Sequence, residues 1–276
     1  LKILDVTLWR FSNQTLFMVK SSPTQEEISE LGSVLLEIGS LLMSSGATTS
    51  RIRLTIDRIA ASFGLSADML VTHRALTLSL SDSHHNQLYN NLKRTSPHGV
   101  NFKLVSGISR MSWRIAENKW SIEDIKTDLS RLKGLPHYPR WIVLTFVSLA
   151  GASFCRLAGG DYIEMAVAFM ATFIGLFTRQ EALKKGFNPY LAVFFGAANA
   201  SLISGFFTLF DFGINTEHAF ATSVLFLIPG IPLINTFSDL FDGNILNGIL
   251  RWIHGLIIAF MIALGLLVAI YLYQIN

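Results

Sequence analysis

Asn235 and Asp239 stand four residues apart in the string LIPGIPLINTFSDLFDGN (227–244), a spacing that puts an amide and a carboxylate on one helix face. Just before them come Pro229, Gly230 and Pro232. Proline inside a helix removes a backbone donor and collides with the preceding turn, so no regular helix runs through this stretch. The surrounding run, 218–238, has no formal charge unless His218 is protonated. At membrane depth such a break survives only inside protein or along a wet cavity. Transporters use the helix ends it frees to bind ions and anionic groups. The pattern predicts a path for a polar solute formed by Pro229, Gly230, Pro232, Asn235 and Asp239. The competing reading is a proline kink with a solvated acidic turn beyond it. Asn199, in the middle of another apolar run, has to face protein or a wet path. A carboxylate on such a path can carry a proton, a role open to Asp239 and to Glu164. For Glu164, a solvated loop pair near Asp161 and Arg156 is the simpler account. His254, beside Trp252, reads as an interfacial anchor.

Other chemistries find no support. There is no G-x-x-x-x-G-K-[ST], no G-x-G-x-x-G after a strand and no H-E-x-x-H, so no nucleotide, cofactor or metal site is expected. His84 and His85 are adjacent in a polar turn, which suits solvent better than a metal. The single Cys155 excludes an intramolecular disulfide and reads as a small packing residue. Ser44, Ser45 and Ser79 lack a base and an orienting group, so an enzyme is not expected. The basic residues are interleaved with acids, and no nucleic-acid-binding signature appears.

The elements that must position these residues follow from composition. Of 276 residues, 51% are hydrophobic and 15% charged, against about 25% charged in a soluble domain. Residues 1–140 hold 17 Lys/Arg and 12 Asp/Glu, whereas 141–276 hold 5 and 7. The expected organisation is a small cytoplasmic α+β domain (1–140) followed by a transmembrane α-helical bundle (141–276). Five runs are candidate spans: 141–155, 165–178, 186–210, 218–238 and 252–276. A hydrocarbon core about 30 Å thick needs roughly 20 helical residues. The first two runs meet that only with snorkelling flanks, and a short buried hairpin is their alternative. Arg179, Lys184, Lys185 and Arg251 fall on one side and Arg156 on the other, which places the N-terminal domain in the cytoplasm. The opening string LKILDVTLWRFSNQ has charges within its apolar stretch and is not read as a signal peptide. In the third run, Gly196, Ala200 and Ser204 form one row of small residues and Ala197, Ser201 and Gly205 another. Such rows allow close helix packing, either within the chain or at a subunit interface or pore.

In the first half, 26–45 and 52–63 show apolar residues at helical spacing, with Gly46 a stop and Thr48 or Thr49 a cap. Strands are expected within 67–82 and over 100–105, then helices over 106–118 and 122–132. Ser121 and Asp124 lie close to a capping pattern.

The string LLMSSGATTSRIRLTIDRIAASFGL (41–65) resembles the helix-turn-helix near the start of the threonine/serine exporter family. The P-G-x-P-L-x-N…D string (229–239) and the five spans after an α+β domain are similar to the same family. The resemblance covers about residues 25–250. It implies a secondary exporter of small hydrophilic metabolites in the bacterial inner membrane, multi-pass, with lipid as its surroundings. The chain looks like the split form, whose larger subunit works with a small membrane-protein partner of the same family. Split members are associated with succinate export and fused members with threonine and serine. A homo-oligomer is a further possibility, and nucleic acid is not an expected partner. The alternative from another class is a membrane-anchored sensor or scaffold whose cytoplasmic domain binds a regulator.

Overall fold

A computed structural model describes residues 24–72, 74–84, 86–95, 99–136, 138–209 and 217–274, without the side chains of Thr208 and Leu209. The opening string 1–14 and His85 lie outside the described residues. The chain divides into two units, with the boundary between Gly134 and Leu135.

In the first unit, α1 (Gln25–Ser44) starts at Thr24, whose hydroxyl accepts from the Glu27 amide while the Glu27 carboxylate accepts from the Thr24 amide. Gly46 ends the turn with φ +87°, a conformation that favours glycine. Thr48 then caps α2 (Thr49–Ser62). Strands β1 (Ser66–Val71), β2 (Ala75–Ser81) and β3 (Gln87–Arg94) form an antiparallel sheet in the order β1-β2-β3. Leu76, Leu78 and Leu80 of the central strand are fully buried. Two glycines let α1 lie close on this sheet. A Cβ on Gly32 would come within 2.6 Å of the Tyr89 ring, and one on Gly39 would be 3.0 Å from Leu76. Helices α3 (Phe102–Asn118) and α4 (Ile122–Lys133) follow the sheet. Lys126 pairs with Glu30 and Lys133 with Glu37; equal steps of seven residues mean that α1 and α4 run in the same direction.

Two expectations fail here. Residues 100–105 are not a strand: the Asn101 side chain accepts from the Leu104 amide and starts α3. Leu104, Val105, Ile108, Met111 and Ile115 are the buried face of that helix, and the first turn of such a face is easily mistaken for a short apolar strand. Strand β3 was not expected because its residues, QLYNNLKR, are mostly polar. It is an edge strand, and an edge needs no apolar alternation to pair through its backbone.

The capping box of α4 predicts a local pH effect. Ser121 donates to Asp124 from its hydroxyl at 2.7 Å and its amide at 3.0 Å. These bonds hold the Asp124 carboxyl below its ordinary value of 3.8. Because the folded value is depressed, the stabilisation is complete above the unfolded value and lost as pH falls through the folded one. Protection of the first-turn amides of α4 against hydrogen exchange, relative to the intrinsic rate at each pH, should therefore fall at acid pH, and Ser121→Ala should flatten that dependence.

Among its described residues, the second unit contains four helices long and apolar enough to cross a membrane: α5 (Arg140–Leu157), α6 (Tyr162–Lys184), α7 (Pro189–Leu209) and α10 (Ile245–Tyr273). A fifth segment is broken: α8 (Glu217–Thr222) and a 3-10 turn (Leu225–Leu227) precede α9 (Gly230–Phe241), with a 58° bend between the two parts. The second span proves longer than the 165–178 run, since its capped start and polar last turns continue the helix to 23 residues. The last span also begins earlier, at Ile245, and takes Arg251 into the helix.

Helix α7 is the most enclosed of the four. Its two small-residue rows pack inside the chain. Gly196 and Ala200 meet Gly175 of α6; Ala197 meets Gly265 of α10. The Ser201 hydroxyl donates to the Gly265 carbonyl at 3.1 Å, and that of Ser204 to the Ser223 hydroxyl at 3.3 Å. Val193, Ala197, Val224, Leu227 and Ile262 form the core around this helix.

Candidate functional site

The break is built by local chemistry. Pro229 precedes the first residue of α9, and its carbonyl accepts from the Leu233 amide at 3.1 Å. Pro232 falls in the first turn, where a missing N–H costs no helical bond. Thr236 returns its hydroxyl to the Pro232 carbonyl at 2.9 Å. A Cβ on Gly230 would meet nothing within 4 Å, so the start of α9 opens on free space beside an exposed Ile228.

One face of α9 is polar and buried. Asn235 is 9% exposed, Thr236 and Asp239 0%, while Ile234, Phe237 and Phe241 point outward. Asp239 is therefore not part of a solvated acidic turn. Its carboxylate faces Arg251 Nε of α10 at 3.2 Å, and both side chains are nearly inaccessible. Glycines hold this hairpin together. A Cβ on Gly248 would lie 2.7 Å from Leu240, and one on Gly255 3.1 Å from Leu233. Arg251 stands between those two glycines on the same α10 face and so reaches α9.

A second polar pair, a carboxylate and an imidazole, lies at the other end of the broken segment. Glu164 is 3% exposed; a solvated loop pair does not describe it. Its carboxylate accepts from the Asp161 amide at 3.0 Å, the His218 amide at 3.2 Å, and lies 3.2 Å from His218 Nδ1. It is buried because the same carboxylate that caps α6 also reaches the start of α8. Cys155, also buried, packs nearby with Val167, Ala168 and Ala219.

The structure thus carries Pro229, Gly230, Pro232, Asn235 and Asp239 on one short helix, and keeps Asn199 and Glu164 apart from it. The Asn199 amide donates to the Phe195 carbonyl of its own helix at 3.0 Å. His254 accepts or donates at 2.8 Å with the Tyr190 hydroxyl. Sequence reasoning placed Arg179 among the loop charges and Arg251 at the start of the last helix, and left His218 without a partner. A signal for the Asp239–Arg251 pair was present: opposite charges flank a tight Gly243–Asn244 turn between two apolar helices. Among the described residues, no group of His, Cys, Asp and Glu could hold a metal ion.

Four helices long and apolar enough to cross a membrane, a fifth segment that is broken, and an ion pair between helices are the features of a multi-pass membrane protein. The chain belongs to the ThrE threonine/serine exporter family, whose family model matches residues 33–273. It is 27% identical to a Klebsiella aerogenes protein named "Probable succinate transporter subunit YjjP", over 83% of this chain and 88% of that one. It is 26% identical to the Escherichia coli K12 protein of the same name, over 85% and 91% of the two chains. An uncharacterized Haemophilus influenzae protein is 26% identical over 47% of this chain and 43% of its own. No solved structure matches the chain. These relationships describe a membrane transport protein and not an enzyme.

Proposed function

We propose that this chain is the larger subunit of a two-part secondary exporter in the bacterial inner membrane. It works with a small membrane-protein partner of the same family and moves a small hydrophilic metabolite outward, a dicarboxylate such as succinate or an amino acid such as threonine or serine. The observation that carries the reading is the break at Pro229–Gly230 followed by the buried polar face of α9. A helix that only anchors a sensor needs neither. Pro229, Gly230, Pro232, Asn235 and Asp239 line the route in this reading. Asp239 and Glu164 are the carboxylates available for proton coupling, and Asn199 serves as a second polar contact on α7.

The N-terminal domain, 1–140, is assigned to the cytoplasm. Arg140, Lys184 and Lys185 gather at one end of α5 and α6, and Arg140 pairs there with Glu181; among the described residues of these two helices, the other end carries Arg156. Short-loop positive charge of this kind marks the inner side. The relatives named as succinate transporter subunits favour a dicarboxylate cargo and a partner.

Proteoliposomes loaded with radiolabelled succinate or threonine test the proposal. Efflux is expected when both subunits are present and not with either alone. Absence of efflux of both solutes from the complete complex, under an imposed proton gradient of either sign, would refute it.

A further inference from the structure

We propose that Arg179 is the carboxylate-binding residue of the transport route; this rests on the exporter reading. Among the described residues of α5, α6, α8, α9 and α10, the other buried or half-buried charges have partners. Arg140 engages Glu181 and Gln180, Lys184 lies 3.5 Å from Glu181, Glu164 meets His218, and Arg251 meets Asp239. Arg156 donates to the Gly160 carbonyl at 3.0 Å. Lys185 is exposed beyond the end of α6. Arg179 differs. Its Nε is buried without a hydrogen-bond partner, its side chain as a whole is half-buried, and among the described residues no ion pair engages it.

A guanidinium stays charged at any physiological pH, and withdrawing part of one from water without a counter-charge carries a cost. Such residues inside membrane helices mark solute pathways. The position of Arg179 fits that role. Gly175 and Gly196 bring α6 and α7 into close approach. A Cβ on Gly196 would lie 3.1 Å from Arg179 Cβ and 3.6 Å from Leu227. The arginine stem and the last turn before Pro229 therefore flank the same point of α7. Arg179 is thus stationed beside the break whose far side, at Gly230, opens on free space. The planar fork of a guanidinium matches a carboxylate with two parallel hydrogen bonds. An anion arriving there supplies the missing counter-charge, and its departure restores the uncompensated state, which suits a site that must release what it binds.

The test uses the two-subunit complex with Arg179→Gln and Arg179→Lys. Succinate and its dimethyl ester are the probes, read by thermal unfolding in detergent and by succinate efflux from proteoliposomes. Wild type should be stabilised by succinate and not by the ester. Arg179→Gln should lose that stabilisation and raise the half-saturating succinate concentration at least tenfold, with Arg179→Lys between. Without succinate, Arg179→Gln should melt no lower than wild type, since no internal ion pair is lost. Wild-type efflux with unchanged half-saturation in Arg179→Gln would overturn the proposal and leave the exporter reading standing. So would an Arg179→Gln complex that loses its partner subunit yet keeps its response to succinate, because the counter-charge would then be a partner carboxylate. A wild-type complex that neither binds nor moves succinate or threonine would remove both readings.

Discussion

Asp239→Asn is expected to abolish export and, in the same protein, to lower the melting temperature sharply. The carboxylate is fully buried and faces a nearly buried guanidinium at 3.2 Å. Neutralising one member leaves the other charge enclosed without compensation, a loss of about 3–5 kcal/mol. Arg251→Gln should destabilise comparably. The double variant Asp239→Asn/Arg251→Gln puts two neutral hydrogen-bonding groups in place of the pair and should recover most of the stability. Its transport then separates two roles for Asp239. Recovered folding without efflux means that the charged pair acts in the route beyond its support of the hairpin. Recovered folding with normal efflux would make the pair a structural clamp of the α9–α10 hairpin and remove Asp239 from proton coupling. Thermal unfolding in detergent and efflux from proteoliposomes, measured on the same preparations, decide between them.

The second large effect is expected at Gly265, where the smallest possible addition should disrupt the bundle. A Cβ there would lie 2.5 Å from Ala197 Cβ, 2.7 Å from the Ala198 nitrogen and 3.0 Å from the Phe194 carbonyl. Two of those three atoms are backbone, so no side-chain rotation relieves the contact. Forcing α7 and α10 apart also breaks the bond from Ser201 to the Gly265 carbonyl. Overpacking typically costs about 1–3 kcal/mol, and Gly265→Ala should fall at the upper end because lipid supplies no hydrophobic drive to hold the helices together. Gly230→Ala is the control. That position opens on free space, so melting temperature should hold. An export defect in Gly230→Ala at unchanged stability would point to the break itself.

The pairings inside the bundle show why some of this was legible and some was not. Proline at 229 and 232 interrupts a helix through its own covalent geometry, so the break and its place in the chain could be read from residue identity. The spacing of Asn235 and Asp239 likewise put them on one face before any coordinates. Whether that face met water, lipid or another charge depended on how α10 is rotated against α9. That rotation is set by Gly248 and Gly255, whose contacts with Leu240 and Leu233 are side-chain events between two helices. The strand expected over 100–105 failed for a related reason: a short apolar run carries too few residues to distinguish a period of 2 from one of 3.6.

From its residues alone, the chain determined its charged first half and apolar second half, the buried stripes of α1 and α2, the caps at Thr48 and Ser121, and an interrupted membrane segment at Pro229. All of these arise from interactions within a few residues. Tertiary structure decided that Asp239 belongs with Arg251 and Glu164 with His218, that the small-residue rows of α7 close onto α6 and α10, and that Arg179 stands apart from every described carboxylate. Those outcomes require residues from different helices to meet, and the rotation and depth of each helix against its neighbours come from packed surfaces that no local periodicity encodes.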